Sequence, residues 1–503
     1  MAEIPFLWIA VLAPILLSPL VYWLGSRANE RTGWIAFVIL LYPLIVSTYA
    51  LLSGKNLVDP LVSISPIVGS FGMLTDGLSA PIFFIISLLS AILAVYSIPY
   101  MKHRIEEGKG TVPGYGPFYS LFLLYFAGMA GTVLSTNLLS FFMFFELMLI
   151  PSFFLIALWG YGERVRISFM YLLWTHVGAV ILLLGILATG FLGNTFDIGA
   201  LTAISGLSQA WIPMGTMKWV GAAILLGLLV KMSVFALHIW LPYAHAEAPT
   251  PISAVLSPAM VGIGGYAIVR IVGQIYLPFL QEISLFLMGW ALVTMVWGGF
   301  MALKQDDFKK LLAYSTVSQM GYMLLGIASL QPLGITGGIF HYVSHGAAKG
   351  LLFMVAGSII LQGNGLRSIR GMGGFAKIMP YTAIAGVIGF LTLAGAPPFM
   401  GFQSEWMLFK GALSLGLGQL SISTVMLGVA ALASTALTAG YAVWTIRRIF
   451  FGPYDATKTA MSEAPRTIIG PIVVLIAVTI LLGIFPQVVV GPLYSYATTL
   501  LGG

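Results

Sequence analysis

Residues 230–250 read VKMSVFALHIWLPYAHAEAPT, an apolar run that contains a lysine, two histidines and two prolines. The apolar run that contains Lys231 starts near Trp219, so the lysine lies about twelve residues into it, which is about 18 Å along a helix. That depth argues against the alternative, a lysine that snorkels to the lipid headgroups. His238 and His245 follow at intervals of seven residues, so an unbroken helix would carry all three near one stripe. Pro242 removes a backbone donor and predicts a break there. A buried cation in a broken apolar helix is typical of a functional site inside a membrane.

The composition indicates a protein that is embedded in a membrane. Of its 503 residues, 59% are hydrophobic and 8% are charged, whereas a soluble domain has about 25% charged residues. The hydrophobic residues occur in runs of helix length, and no polar stretch is long enough for a soluble domain. We therefore expect one all-α membrane domain over residues 1–503, which excludes nucleic-acid binding despite the net charge of +7.

The chain has no cysteine. This excludes disulfides, thiolate zinc sites and cysteine-ligated iron–sulfur clusters within it. There is also no phosphate-binding loop or dinucleotide fingerprint, so we expect no cofactor and no metal ion in this chain. The first residues, MAEIPFLWIA, lack a basic segment and a cleavage site. We interpret them as the start of the first membrane span.

The apolar runs predict about fourteen transmembrane helices. Their approximate bounds are 4–24, 33–53, 77–101, 117–136, 138–159, 167–192, 219–241, 250–275, 281–303, 308–329, 333–361, 378–413, 421–450 and 466–490. Span 378–413 is long and contains Gly395, Pro397, Pro398 and Gly401, which predicts a break in mid-membrane.

The lysines and arginines are unevenly divided between the loops. The loops after odd-numbered spans contain 17 of the 23 Lys and Arg, and the loops after even-numbered spans contain only Lys55 and Lys218. By the positive-inside rule, the odd-numbered loops are cytoplasmic and both termini are external. We expect the chain to be a multi-pass protein of the plasma membrane.

The two broken spans predict an internal repeat. The seventh span breaks after Lys231 and the twelfth breaks before Glu405, so the breaks are five spans apart. An odd offset reverses the orientation of the second copy, as in inverted-topology transporters. We therefore predict two inverted five-helix repeats, formed by spans 4–8 (about 117–275) and spans 9–13 (about 281–450).

Glu146 is the one carboxylate in the apolar run LLSFFMFFELMLIP. We interpret it as a partner of Lys231, because the lysine's affinity for a proton would then depend on their contact. A fixed structural ion pair is the alternative. His176, in YLLWTHVGAV, is interpreted as a packed core histidine, and Asp76 as a cap of the third span.

His341, His345 and Lys349 follow one another at intervals of four residues, so they share one helix face. Such a column suits a proton relay through hydrated side chains. The alternative is two core histidines that are hydrogen-bonded to nearby oxygens, and a metal site is less favoured because no carboxylate is near in sequence. Glu405, just beyond the second break, would be the terminal exchange group.

Six segments together resemble the antiporter-like membrane subunits of complex I and the Mrp cation/proton antiporters. They are DGLSAPIF (76–83), STNLLSFFMFFELMLIP (135–151), KMSVFALHIWLPYAHAEAPTPISAVLSP (231–258), KKLLAYSTVSQMGYM (309–323), HYVSHGAAKGLLF (341–353) and GAPPFMGFQSEW (395–406). The resemblance covers spans 3 to 12. It implies that Glu146 is the family's glutamate of the fifth span and that Lys231 is its pumping lysine of the seventh.

Within this family, the glutamate at position 405 resembles chain M of the NADH–quinone oxidoreductases. The run His341–His345–Lys349 is more similar to Mrp, membrane-bound hydrogenase and chain L proteins. One position departs from the family: the usual lysine of the eighth span is replaced by Gly262. His238, His245 or ordered water would have to substitute for it.

The resemblance implies a non-redox, proton-translocating subunit of a complex I-like quinone oxidoreductase. Its partners would be other membrane subunits, and flavin, iron–sulfur clusters and quinone would be bound in partner subunits. The translocated ion would be the proton, with sodium as the other possibility. The alternatives are a subunit of an Mrp-type sodium/proton antiporter or of a membrane-bound hydrogenase, and a structural anchor whose charges form fixed ion pairs.

Overall fold

Long apolar helices make up almost all of the computed structural model, which describes residues 5–108, 110–207, 212–418, 421–453 and 461–502. In these ranges, twelve helical segments are long and apolar enough to cross a membrane. The first of them, Phe6–Ser53, contains two helices, and shorter apolar helices add to the set. The all-α membrane fold is confirmed.

The N-terminal part consists of three long helices with two small hairpins before the third. Its elements are α1 (Phe6–Ala28), a 3₁₀ turn (Asn29–Arg31), α2 (Thr32–Ser53), β1 (Leu57–Val58), β2 (Val62–Ser65), β3 (Gly69–Phe71), β4 (Leu74–Thr75) and α3 (Ser79–Glu107). Strand β1 pairs with β4 and β2 pairs with β3, both antiparallel.

The first predicted repeat contains the first broken helix. Its elements are α4 (Tyr115–Leu134), α5 (Leu138–Trp159), α6 (Arg164–Gly193), α7 (Ile198–Leu207), α8 (Met214–Met232), α9 (Trp240–Glu247), α10 (Thr250–Val255) and α11 (Ile263–Ala267). Two π-helical segments, Leu256–Met260 and Ile268–Gly273, continue α10 and α11, so that 250–273 forms one span.

The second predicted repeat and the C-terminal part follow. Their elements are α12 (Leu277–Lys304), α13 (Phe308–Ala328), α14 (Pro332–Gln362), a 3₁₀ turn (Ile369–Gly371), α15 (Phe375–Ile378), α16 (Pro380–Leu393), α17 (Met400–Gly418), α18 (Ile422–Phe451), α19 (Arg466–Ile484) and α20 (Gln487–Leu500). The last predicted span, 466–490, is too long, because α19 ends at Ile484 and α20 is a separate helix.

The core of the molecule is made of helices that are buried on all sides. The apolar windows of α3, of span 250–273 and of α14 are completely buried, whereas α18 and α19 leave most of their surface exposed. Exposed apolar side chains such as Leu16, Val177 and Met426 are ordinary for a protein whose solvent is lipid. The helices in the centre therefore hold the buried polar groups away from the bilayer.

The seventh span is broken, but not at Pro242 as predicted. Helix α8 ends at Met232, and both Ser233 (φ 57°) and Ala236 (φ 68°) have left-handed backbone conformations. Helix α9 begins at Trp240 and contains Pro242 in its first turn, where a helix tolerates proline because its N–H has no intrahelical acceptor. Lys231 and the two histidines that follow it therefore lie on different pieces of backbone, and the predicted common stripe is wrong.

The break predicted in the twelfth span is confirmed. Helix α16 ends at Leu393 and α17 begins at Met400, and Gly395 between them has φ 65°. In each predicted repeat the first two helices pack side by side, and the third packs against the broken one. The helices of the two predicted repeats therefore pack in the same order. Their inverted orientation stays a prediction.

Candidate functional site

Lys231 lies in the last turn of α8 and is only 2% exposed. Among the described residues, its Nζ has no hydrogen-bond partner. The ammonium group lies 4.9 Å from the centroid of the Phe145 ring on α5, a distance at which a cation and an aromatic face attract each other. The helix ends directly after this lysine, which places the buried cation beside the break.

Glu146 contacts His176 rather than Lys231. Its Oε2 lies 3.1 Å from His176 Nδ1, and its Oε1 is buried without a partner in the described part of the chain. No hydrogen bond or ion pair among the described residues joins Glu146 to Lys231. The Glu146 carboxylate is nevertheless near enough to act on the charge of Lys231, so the two groups interact across a gap. The prediction that His176 is packed in the core is wrong, because 53% of its side chain is exposed.

His238 lies in the break between α8 and α9. Its Nε2 accepts a hydrogen bond of 3.2 Å from the indole N–H of Trp297 on α12. Its other ring nitrogen is buried and has no partner among the residues described. Because a ring nitrogen that accepts a bond carries no proton, the proton of this neutral imidazole lies on Nδ1. The break thus contains a buried imidazole N–H seven residues after Lys231.

His245 lies on α9 and is completely buried. Neither ring nitrogen has a partner in the described residues, and the ring stacks on Phe353 of α14 at 5.1 Å. Lys309 and Lys349 are the charged groups that act on it. Lys309 donates to the carbonyls of Ala246 and Ala248 at the end of α9. A buried imidazole with two unsatisfied nitrogens is costly unless water reaches it.

The predicted column of α14 exists. The rings of His341 and His345 lie 6.5 Å apart, and His341 Nδ1 lies 3.1 Å from the Ser404 hydroxyl. Lys349 donates to the Leu312 carbonyl at 2.7 Å and also to the Ser315 hydroxyl. The partners of this lysine are neutral oxygens of α13. The column therefore crosses the core from α13 to the beginning of α17.

Glu405 lies on α17, one residue after the serine that contacts the column. Its side chain is 8% exposed, and its Oε1 has no hydrogen-bond partner among the described residues. The carboxyl lies against Gly395 and lines a cavity of about 790 Å³ between α16, α17 and α18, together with Trp406 and Lys410. Glu405 thus connects the buried column with an open space at the edge of the molecule.

Gln319 and Tyr441 belong to the same polar region and were missed in the sequence. The side-chain polar atoms of Gln319 and the Tyr441 hydroxyl are buried, and none of them has a partner at full hydrogen-bond geometry in the described part of the chain, although the Tyr441 hydroxyl lies near Gln319 and Ser315. They lie between Ser315 on α13 and Glu405. The spacing of four residues between Ser315 and Gln319 puts both on one helix face, which is the signal that could have indicated them.

Gly262 is packed against an aromatic ring. A Cβ atom at this position would lie 2.1 Å from the Tyr342 ring of α14, whose hydroxyl donates to the Ala259 carbonyl. A lysine at position 262 would therefore clash with the Tyr342 ring. Lys349 of α14 is a buried lysine of the helix whose Tyr342 ring packs on Gly262.

Asp76 and Arg270 form a buried pair at the other end of the core. Arg270 donates to both carboxylate oxygens, at 2.8 and 2.7 Å. Asp76 also accepts from the backbone N–H of Ser79, which confirms the predicted cap of α3. Burial alone would raise the pKa of Asp76, but the guanidinium of Arg270 outweighs this and holds the pKa below its usual range.

A set of buried ionisable side chains, the buried line, lies on α8, the first break, α9, α14 and α17 of a molecule whose helices have membrane length. Side-chain contacts join α9 to α14 through His245 and α14 to α17 through His341. The described members of the buried line are Lys231, His238, His245, His345, Lys349, His341 and Glu405. Several of their polar atoms lack partners, so ordered water would be needed to satisfy them. Imidazole, lysine and carboxyl groups that are joined by water can pass protons on.

A comparison of the sequence with known families shows to which family the chain belongs. The profile described as NADH:quinone oxidoreductase/Mrp antiporter, TM, matches residues 135–442. The chain belongs to this family. The matched segment runs from the start of α5 into α18 and so includes every predicted site residue.

Relatives of this family match over almost the whole chain. The F(420)H(2) dehydrogenase subunit M of Methanosarcina mazei is 31% identical over 90% of this chain and 89% of its own length. The NADH-quinone oxidoreductase subunit M of Rhodobacter capsulatus is 30% identical over 93% of this chain and 90% of its own length. A chain in the structure of respiratory complex I from Thermus thermophilus with bound NADH is 25% identical. The match has a TM-score of 0.85 and covers 99% of this chain and all of that one.

These matches confirm the resemblance to antiporter-like subunits. The relatives and the solved structure are parts of multi-subunit membrane complexes. The chain is accordingly a multi-pass membrane subunit of the NADH:quinone oxidoreductase/Mrp antiporter family, with the fold of the complex I antiporter-like subunits.

Proposed function

We propose that this chain is a non-redox, proton-translocating subunit in the membrane arm of a complex I-like quinone oxidoreductase. The observation that carries the proposal is the line of buried ionisable groups between the two broken helices, from Lys231 to Glu405. Flavin, iron–sulfur clusters and quinone would be bound by partner subunits, and electron transfer there would drive proton movement here. The electron donor would be NADH if this chain works in the same kind of complex as its relative from Rhodobacter capsulatus, an NADH-quinone oxidoreductase subunit.

The proposed route uses each group once. Lys231 holds a proton beside the first break, and His238 and His245 receive it through water. The proton then reaches the His345–Lys349 region of α14. From there it passes along His341 and Ser404 to Glu405, which exchanges it with the cavity beside α17. Lys349 takes the place of the lysine that Gly262 and Tyr342 exclude from the eighth span.

Glu146 provides the control of Lys231 in this scheme. Two unit charges 4 Å apart interact by about 4 kcal/mol at an effective dielectric constant of about 20. A movement of the Glu146 carboxylate toward or away from Lys231 would therefore change the lysine's hold on its proton by several orders of magnitude. The unpaired Glu146 Oε1 and Lys231 Nζ are the atoms that such a movement would join.

The arrangement in the cell follows from the loop charges. We propose that the loops after odd-numbered spans lie in the cytoplasm and that both termini lie outside a plasma membrane. The other membrane subunits of the assembly would lie beside this chain in the same bilayer.

Mass spectrometry of the complex that co-purifies from gently solubilised membranes tests which assembly this is. Iron–sulfur and quinone-module subunits are expected. Small membrane partners without any redox subunit would contradict the complex I-like assembly and would favour a sodium/proton antiporter.

Proton uptake into membrane vesicles tests the role of the chain itself. Lys231→Ala and Glu146→Ala are expected to lower uptake at least tenfold while the assembly stays intact. Glu163→Ala is the matched control, because Glu163 is an exposed carboxylate whose ion pair among the described residues is with Arg166, three residues along the chain. Unchanged uptake in both site variants would contradict the proposed function.

A subunit of an Mrp-type sodium/proton antiporter is the second candidate. The family description includes these antiporters, and the His341–His345–Lys349 column resembles their pattern. A membrane-bound hydrogenase shares that resemblance. An assay of sodium efflux driven by a proton gradient would distinguish an antiporter from a redox-driven pump.

A further inference from the structure

Three segments of the chain meet at the end of α9. The backbone N–H of Tyr161, in the loop after α5, donates to the Glu247 carbonyl at 2.8 Å. Lys309, the second residue of α13, donates to the two carbonyls that flank this one. Arg367, in the loop after α14, is near enough to act on the charge of the Glu247 carboxylate. These segments follow the fifth, ninth and eleventh predicted spans, so all of them belong to the side that the loop charges place in the cytoplasm.

The backbone at this end of α9 is fixed by groups from outside the helix. Helix α9 is only eight residues long, and Pro249 follows it closely, so its last carbonyls have no donor in the helix itself. The Ser253 hydroxyl donates to the His245 carbonyl at 3.2 Å, and Tyr161 and Lys309 occupy the next ones. A cation at a helix C-terminus is favourable, which agrees with the almost complete burial of Lys309.

The side chain of Glu247 is free, although its backbone is held. The carboxylate is partly exposed and has no hydrogen bond or ion pair with another described residue. It lies beyond the predicted end of the seventh span and before the start of the eighth. Burial raises its pKa, and the nearby cations oppose this. The charged groups that face it are Arg367, Lys309, Lys310 and Asp307.

The buried line begins two residues before Glu247, at His245. A separation of two residues is a rise of about 3 Å along a helix. Both ring nitrogens of His245 are buried without a partner among the described residues, so water is needed to satisfy them. Lys309 acts on the charge of both His245 and Glu247 and is therefore close to each. A short hydrated path between the carboxyl and the imidazole would thus join the cytoplasmic surface to the buried line.

We propose that Glu247 is the group through which the buried line takes up protons from the cytoplasm, with water passing each proton on to His245. This inference rests on the proposed function, in which Glu405 is the exchange group at the other end. The Glu247 carboxylate accepts a proton from cytoplasmic water and gives it to the water beside His245. Lys309 is a positioning residue in this scheme: its hydrogen bonds hold the end of α9, and its own charge does not change.

The test compares Glu247→Gln and Glu247→Asp in inside-out vesicles that contain the intact assembly. Glu106→Gln is the control, because Glu106 is an exposed carboxylate in the last turn of α3, at the same side of the molecule. The initial rate of proton uptake is measured at several pH values, and subunit content reports assembly. Gln is expected to lower the rate at neutral pH by about tenfold or more. Asp, which keeps a carboxyl, and the Glu106 variant are expected to retain most of it.

The pH profile separates an entry group from a structural one. Lowering the pH is expected to restore part of the rate in Glu247→Gln, because a higher proton concentration replaces the missing collecting group. A residue that only supports the fold would show the same deficit at every pH.

A thiol introduced at this position allows a test after assembly. The chain has no cysteine, so Glu247→Cys provides its single thiol. A membrane-impermeant methanethiosulfonate reagent that attaches a carboxylate is expected to restore uptake, whereas one that attaches a neutral amide is not. Vesicles with the wild-type chain are treated in the same way, which controls for thiols of partner subunits.

The contrary results can be told apart. A wild-type rate in Glu247→Gln at every pH would overturn the entry site if Lys231→Ala still lowers uptake. A deficit that is equal at every pH, and that the carboxylate reagent does not restore, would also overturn it. If Lys231→Ala has no effect either, the proposed function fails and this inference fails with it.

Discussion

Buried charges in this chain could be predicted residue by residue, but their partners could not. Glu146, Lys231, Lys349 and Glu405 are polar residues in apolar runs. The structure buries the two lysines and Glu405 as expected, and it leaves 19% of the Glu146 side chain exposed. Helical spacing reports which residues of one helix share a face, as it did for the column of α14. It contains no information on which helices are neighbours. The pairing of Glu146 with His176 on another helix was for this reason missed.

At the same scale, Asp76→Asn is expected to destabilise the chain by about 3–5 kcal/mol, since it leaves the Arg270 charge buried and unpaired. The pKa of Asp76 is lowered in the folded state, so its stabilisation is present above the unfolded value of about 4 and is lost as the pH falls through the lower folded value. Thermal denaturation of the purified assembly at several pH values measures this. Glu30→Gln, in an exposed pair with Lys102, is expected to change stability by less than about 1 kcal/mol; equal effects of the two variants would contradict the account.

The sequence predicted which spans contain a break, but it predicted the position of only one of the two breaks. Proline and glycine marked both broken spans, and the break around Gly395 is where they indicated. The break in the seventh span precedes Pro242, because proline fits the first turn of a helix as readily as it ends one. The helix breaks at Ser233 and Ala236, which have left-handed backbone conformations. Serine and alanine rarely adopt this conformation, so it could not be predicted from their residue types.

The second break offers an element-scale prediction. Gly395→Ala is expected to lower proton uptake severalfold, because the new Cβ would lie 2.5 Å from Glu405 Oε2 and displace the carboxyl. Gly54→Ala is the control: Gly54 has a similar φ of 61° but no atom within 4 Å of the added carbon. Both variants carry the conformational cost of about 1–2 kcal/mol for a left-handed alanine. Uptake that is the same in both would show that the contact with Glu405 has no role.

For the whole molecule, the hydrophobic runs and loop charges were enough to predict a membrane fold with about fourteen spans. The central helices α3 and α14 are buried on all sides, so no exposed stripe in their sequences shows which neighbours they have. The arrangement of the helices around the buried line depended on the structure. It is this arrangement that packs Tyr342 of α14 on Gly262 and buries Lys349 against α13.

The number of protons translocated per donor molecule oxidised, in sealed vesicles, tests most directly whether this line conducts. Lys349→Ala is compared with Lys218→Ala, a lysine of an exposed pair with Glu282. Lys349→Ala is expected to lower the ratio while subunit content is unchanged, and Lys218→Ala is expected to keep the wild-type ratio. A wild-type ratio in Lys349→Ala, with the assembly intact, would contradict a proton route through the buried line.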